Sequence, residues 1–208
     1  MSIIHIEPTS KCPLRCTLCP RTLYLDRIQN TDCDIEHYSD LTSTFDEIII
    51  CGNHGDPIYH KDFIGLVNKI KQKNKTAKII LHTNGSYRTK DWWAEVAKEF
   101  NSNDEINFSI DGVESNNHLY RVNSKWQLIE EGIKAFRSVN KTTKLIWKYI
   151  LFNYNQTTIL EAVSKAKELE FDRFMIVQSN RKNNTLDPTI TINDLEEKLN
   201  DLSEMQDR

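Results

Sequence analysis

Six short apolar runs punctuate the chain, and each is followed by turn-forming residues. They are IIHIE (3–7), FDEIIIC (45–51), AKIILHT (77–83), EINFSID (105–111), KLIWKYILF (144–152) and DRFMIVQ (172–178). Their β-branched and aromatic content predicts strands. Asn84-Gly85, Asp111-Gly112, Asn153 and Ser179-Asn180 supply the turns after the last four. Between the runs, apolar positions recur at helical spacing. Phe63, Val67 and Ile70 share a face of 62–72, and Trp93, Ala97 and Phe100 a face of 90–100. Ile129, Ile133 and Phe136 do so in 125–139, and Ile159, Val163, Ala166 and Leu169 in 157–170. Strands alternating with amphipathic helices predict a parallel sheet covered by helices.

The alternation gives about six βα units. A full eight-unit barrel typically needs about 250 residues, and this chain has 208. An open sheet or a partial barrel fits the length, and in both the ligand site lies at the carboxyl ends of the strands. Four elements fall on that rim: the cysteine loop after the first strand, CGNHGDP (51–57), HTNG (82–85) and SIDG (109–112). The expected organisation is a core over 1–182 and a helical C-terminal extension over 183–208. In the extension Leu195, Leu199 and Leu202 form a narrow stripe, with Thr191 or Asn193 as its cap.

Composition narrows the function classes. Hydrophobic residues make up 38% and charged residues 27%, a balance that gives no reason to expect disorder. The net charge of -3 lacks the basic excess of a nucleic-acid binder. No apolar run approaches a membrane span. The N-terminal MSIIHIEPTSK reads as a first strand and not as a signal peptide.

Three of the five cysteines, Cys12, Cys16 and Cys19, stand in KCPLRCTLCPR, while Cys33 and Cys51 are isolated. An odd count bunched at one place makes a poor disulfide framework and fits a reducing, cytoplasmic setting. Three thiolates on one loop suit a soft metal or an iron–sulfur cluster. Structural zinc needs a fourth ligand, and the candidates His5, His37 and Cys33 lack the usual spacing. Two readings without catalysis stand beside an enzyme: an iron–sulfur electron-transfer protein and a zinc-stabilised binding scaffold.

With C-x3-C-x2-C directly after a first strand, the chain resembles the radical S-adenosylmethionine (SAM) superfamily over about residues 2–182. The resemblance implies a partial (β/α)6 barrel of parallel strands with outer helices. It also implies a [4Fe-4S] cluster on Cys12, Cys16 and Cys19, with the open iron binding SAM. Reductive cleavage of SAM would then start hydrogen-atom abstraction from an unidentified substrate. GNHGDP (52–57) stands where the family carries its GGEP-like turn, which places Gly52, Asn53 and Asp56 near the SAM amino group. TNG (83–85) adds Asn84. Ser109 and Asp111 take ribose or carboxylate positions, and Lys148 is a carboxylate partner. Leu18 stands where an aromatic residue often supports adenine. On the far side Phe152, Asn153, Val177 and Gln178 are candidates for adenine. LYRVNSKW (119–126) and WKYILFNYN (147–155) are similar to a subset of largely unassigned activity. The resemblance further implies an electron donor such as flavodoxin or ferredoxin. The absence of a large cap favours a bulky substrate.

Plainer roles compete at several positions. Asp56 could cap the helix that starts near residue 61, and Asn84-Gly85 and Asp111-Gly112 could be turns only. Lys148 could reach solvent. His82 is expected to be a hydrogen-bonded core histidine. Two cysteines 18 positions apart cannot build a second cluster site, so a single cluster is expected. Cys51 reads as a small buried residue at a strand end.

Overall fold

The computed structural model describes residues 1–179, 185–191 and 193–194. The strands are β1 (Ile3–Ile6), β2 (Glu47–Ile50), β3 (Lys78–Thr83), β4 (Glu105–Ser109), β5 (Lys144–Leu151) and β6 (Arg173–Gln178). All pair in parallel, in the order β1-β2-β3-β4-β5-β6. A doubly wound sheet reverses its order at a switch point. No reversal occurs here, so the sequential order is that of a barrel wall. No ladder joins β6 to β1 among the described residues, and the wall stays open.

Right-handed crossovers in a sequential sheet put every connecting helix on one face. The expected helices appear as α3 (Phe63–Lys73), α4 (Lys90–Glu99), α6 (Trp126–Val139) and α7 (Ile159–Glu168). Three further ones have little apolar periodicity: α1 (Pro20–Leu23), α2 (Ile35–Leu41) and α5 (Asn117–Tyr120). α2 is started by Asp34, whose carboxylate accepts the His37 N–H at 2.9 Å. Asp62 caps α3 in the same way through the Gly65 N–H at 3.0 Å.

Each strand therefore has a dry side and a wet side. Ile48, Ile50, Ile79, Leu81, Phe108 and Trp147 are buried beneath the helices. Around them Trp93, Phe136 and Phe171 complete an aromatic core. The opposite parity carries Glu47, Lys78, Glu105, Ser109 and Lys148 on the concave wall. At its base Lys78 Nζ lies 3.5 Å from Glu47 and 3.9 Å from Glu105, linking three strands.

Residues 185–191 return to the rim, where the Asn153 N–H donates to Leu186 O at 3.0 Å. Thr191 and Asp194 hydrogen-bond each other reciprocally: the Thr191 N–H and hydroxyl donate to the Asp194 carboxylate, and the Asp194 N–H donates to Thr191 Oγ1. Asn180, Leu195, Leu199 and Leu202 lie outside the described residues. No helix among the described residues is long and apolar enough to cross a membrane.

Candidate active site

The loop after β1 carries all three cysteines of the motif and is pinned from both sides. The Arg15 and Thr17 N–H groups donate to Val122 O at 3.0 Å and Tyr120 O at 3.2 Å. On the other side the Asp56 N–H donates to Lys11 O at 2.8 Å. Cys19 precedes α1, with Pro20 in the first helical position, and its carbonyl accepts from Thr22 and Leu23.

The turn after β2 is packed so closely that its glycines have no room for a side chain. A Cβ on Gly55 would stand 2.0 Å from Thr9 O, and one on Gly52 2.3 Å from Gly55 O. Asp56 ties this turn to its neighbours. Its carboxylate accepts the Ile58 N–H at 3.2 Å, the Thr83 hydroxyl at 2.8 Å and the Asn84 N–H at 2.7 Å, with the Asn84 side-chain amide as a fourth donor. Asp56 is thus fully engaged inside the protein, stitching the β2 turn to the β3 turn. Asn84 in turn directs its amide toward Cys12 Sγ at 3.8 Å.

These elements enclose a cavity of about 360 Å³ at the carboxyl ends of the strands. Cys12, Cys16 and Cys19 line it, as do Gly52, Asn53, Asp56 and Asn84. From β4 and β5 come Ser109 and Lys148, which are direct register partners. Lys148 has no carboxylate within 4 Å among the described residues, and the Ser109 hydroxyl makes no protein hydrogen bond among them. Two of the expected contacts stand elsewhere. Leu18 is half-buried on the loop and does not line the cavity. Asp111 is fully buried beneath it. The Asp111 carboxylate accepts from Arg121 Nε and from the Ile150 N–H, both at 2.7 Å.

Four residues of this site were not among its expected contacts. Arg121, held by Asp111, lines the cavity beside Cys16; burial pushes the Cys16 thiol up, and the Arg121 charge offsets part of that. His82 also lines it, contrary to the expected core position, because its parity on β3 faces the concave side. Burial, and then the charge of Lys148, hold the His82 imidazole down at about 4. Cys51 lines the cavity too, with its sulfur against His5 Nε2, and burial pushes its thiol up to about 11. Glu7 clamps Asn53 through both the backbone N–H at 3.0 Å and the side-chain amide at 2.6 Å. Of the far-side candidates, Val177 and Gln178 line an adjoining cavity of about 370 Å³ with Arg121 and Lys148. Phe152 is buried in the structure instead, and Asn153 holds the returning segment.

The three thiols line one cavity, and a cluster spreads its thiolates over separate irons. Burial pushes the Cys12 thiol up to about 12. Cys33 stands apart beside His60, at 3.9 Å, and His37 lies on α2. Neither completes a zinc set.

The fold and the site define a barrel-walled enzyme core with a three-cysteine loop at the ligand end. Residues 6–151 match the family model of the Radical SAM superfamily. The chain belongs to the Radical SAM superfamily, whose enzymes use a [4Fe-4S] cluster and SAM. Over 101 residues it is 30% identical to the tungsten-containing aldehyde ferredoxin oxidoreductase cofactor-modifying protein of Pyrococcus furiosus, covering 47% of this chain and 28% of that one. Among solved structures it is similar to Streptococcus suis SuiB bound to its precursor peptide SuiA. The TM-score is 0.77 at 18% identity, over 99% of this chain and 46% of SuiB. It is also similar to methylornithine synthase (PylB), with a TM-score of 0.65 at 13% identity over 88% of this chain and 55% of that one. At such identities the structural likenesses establish the fold. The chain spans about half the length of these solved relatives and a smaller share of the curated one.

Proposed function

We propose that this chain is the core of a radical SAM enzyme acting on a bulky substrate. One observation carries the reading. Lys148 and Ser109, polar and uncommitted, face the same cavity as the three cysteines, from the far side of the barrel wall. When bound, the cluster and SAM supply reductive cleavage and a hydrogen-abstracting radical. Cys12, Cys16 and Cys19 would hold the cluster. Lys148, supported by Arg121, would take the SAM carboxylate, and the backbone of the Gly52–Asn53 turn its amino group. Ser109 would meet the ribose, and Val177 and Gln178 the adenine. Asp56, Asn84 and Asp111 position these groups from behind.

The open wall and its polar concave face support a large guest, and SuiB, of like fold, has been seen with a precursor peptide. The thiol-rich loop suits a reducing cytoplasm, and the family chemistry calls for a one-electron donor. Residues 1–182 would form the catalytic core and 183–208 an extension.

The test is turnover. Anaerobically reconstituted, reduced protein should release 5′-deoxyadenosine from SAM. An intact reduced cluster that releases none would end the enzyme reading.

A further inference from the structure

A second cavity, of about 570 Å³, includes Lys11 and Cys12 of the cysteine loop. Cys12 lines both cavities. This one is lined by four cations, Lys11, Arg21, Lys61 and Arg88, and by no anion. Lys11 is paired with Asp32 at 2.6 Å. For Arg21, Lys61 and Arg88 no carboxylate lies within 4 Å among the described residues.

The two guanidinium groups are held in place by neutral oxygens. Arg21, only 8% exposed, donates to Ser10 O at 2.5 Å, His54 O at 3.3 Å and Asn30 Oδ1 at 2.8 Å. Arg88 donates to Ile58 O and His60 O, each at 2.7 Å, and lies 4.8 Å from the Tyr87 and Trp92 ring centres. Their positions are fixed and their charge is uncompensated, so the cavity favours an anionic guest. It does so on a chain whose own net charge is negative.

The surroundings point to a macromolecule. Between the lining residues Arg21 and Asn30, three consecutive large apolar side chains stand in solvent: Leu23 at 58%, Tyr24 at 51% and Leu25 at 41% exposure. On the same segment Asp26 and Arg27 offset each other in charge. A small anion needs no exposed apolar segment, whereas a protein interface combines a charged patch with exposed apolar anchors.

We propose that this basic cavity, with the exposed apolar segment 23–25 that follows Arg21, is the docking face for an acidic one-electron donor protein. The proposal rests on the reading that Cys12, Cys16 and Cys19 hold a [4Fe-4S] cluster. The donor would lose one electron and the cluster would gain it, with Cys12 as the bridge. Docking here leaves the concave side free for SAM and substrate, so reduction and substrate binding do not compete for one surface.

The test is stopped-flow reduction of the reconstituted holoprotein, wild type and Lys61→Glu, followed by bleaching of the cluster. An acidic reduced ferredoxin is one reductant, and neutral photoreduced 5-deazariboflavin is the other. Lys61 is exposed and lies outside the SAM cavity. Lys61→Glu should slow reduction by the ferredoxin about tenfold at low salt, and the difference should vanish at high salt. The deazariboflavin rate should not change. A carbodiimide should couple Lys61 or Lys11 to ferredoxin carboxylates, a readout independent of turnover. Equal ferredoxin rates at low salt, or couplings confined to other lysines, would overturn the docking face while the neutral reductant still shows a working cluster. A wild-type protein that forms no cluster at all would overturn the underlying reading instead.

Discussion

Arg121 reaches the cavity because Asp111 holds it there. The Asp111 carboxylate is fully buried, accepts from Arg121 Nε at 2.7 Å, and is steadied by the Ile150 N–H on its other oxygen. The pair joins the ends of β4 and β5 to the segment that also pins the cysteine loop. Truncating one partner of a buried pair leaves the other charge uncompensated. Asp111→Asn should therefore cost about 3 kcal/mol of unfolding free energy. It should also lower iron content after reconstitution. Urea unfolding and iron analysis measure the two effects.

Substitution within the cysteine loop should separate ligands from bystanders. Cys16→Ala should abolish the visible absorbance and iron content of the reconstituted protein. Cys33→Ala, beside His60 and away from the cavity, should retain both. Equal iron in the two variants would contradict the assignment.

Lys148 offers its ammonium to the cavity without a competing carboxylate. A charge-assisted hydrogen bond contributes about 1.5–3 kcal/mol, so Lys148→Ala should weaken SAM binding by about tenfold or more. Cluster content should be unchanged. Equilibrium dialysis with labelled SAM on the reconstituted variant gives the ratio.

His82 predicts a pH effect on stability. Its imidazole is held at about 4 in the folded state, against 6.5 ordinarily. Between those values the unfolded chain binds a proton that the folded one refuses, so stability falls as pH drops through that window. His82→Gln removes this contribution. The Tm difference between pH 7 and pH 4.5 should be smaller in the variant, as read by thermal scans of the apoprotein.

The strands and the rim motifs were legible because β-branched runs and turn formers are local signals. The four larger helices were legible from apolar spacing. α2 was not, because its start depends on the Asp34 cap and its stripe is too short to register as a period. His82 and Arg121 were hidden for a different reason. Whether His82 faces helices or cavity depends on the register of β3 with its neighbours. The place of Arg121 depends on Asp111, ten positions earlier. Asp56 was recognised by motif, but that its oxygens are engaged by Ile58, Thr83 and Asn84 was not, because those partners come from the next turn and from β3.

The concave side of the sheet has a consequence for binding. Among the described residues its wall carries Glu47, Lys78, Glu105 and Lys148, charged groups that favour hydration until something covers them. Whether a guest or another part of the protein does so, covering that wall is the step that would dry the reaction.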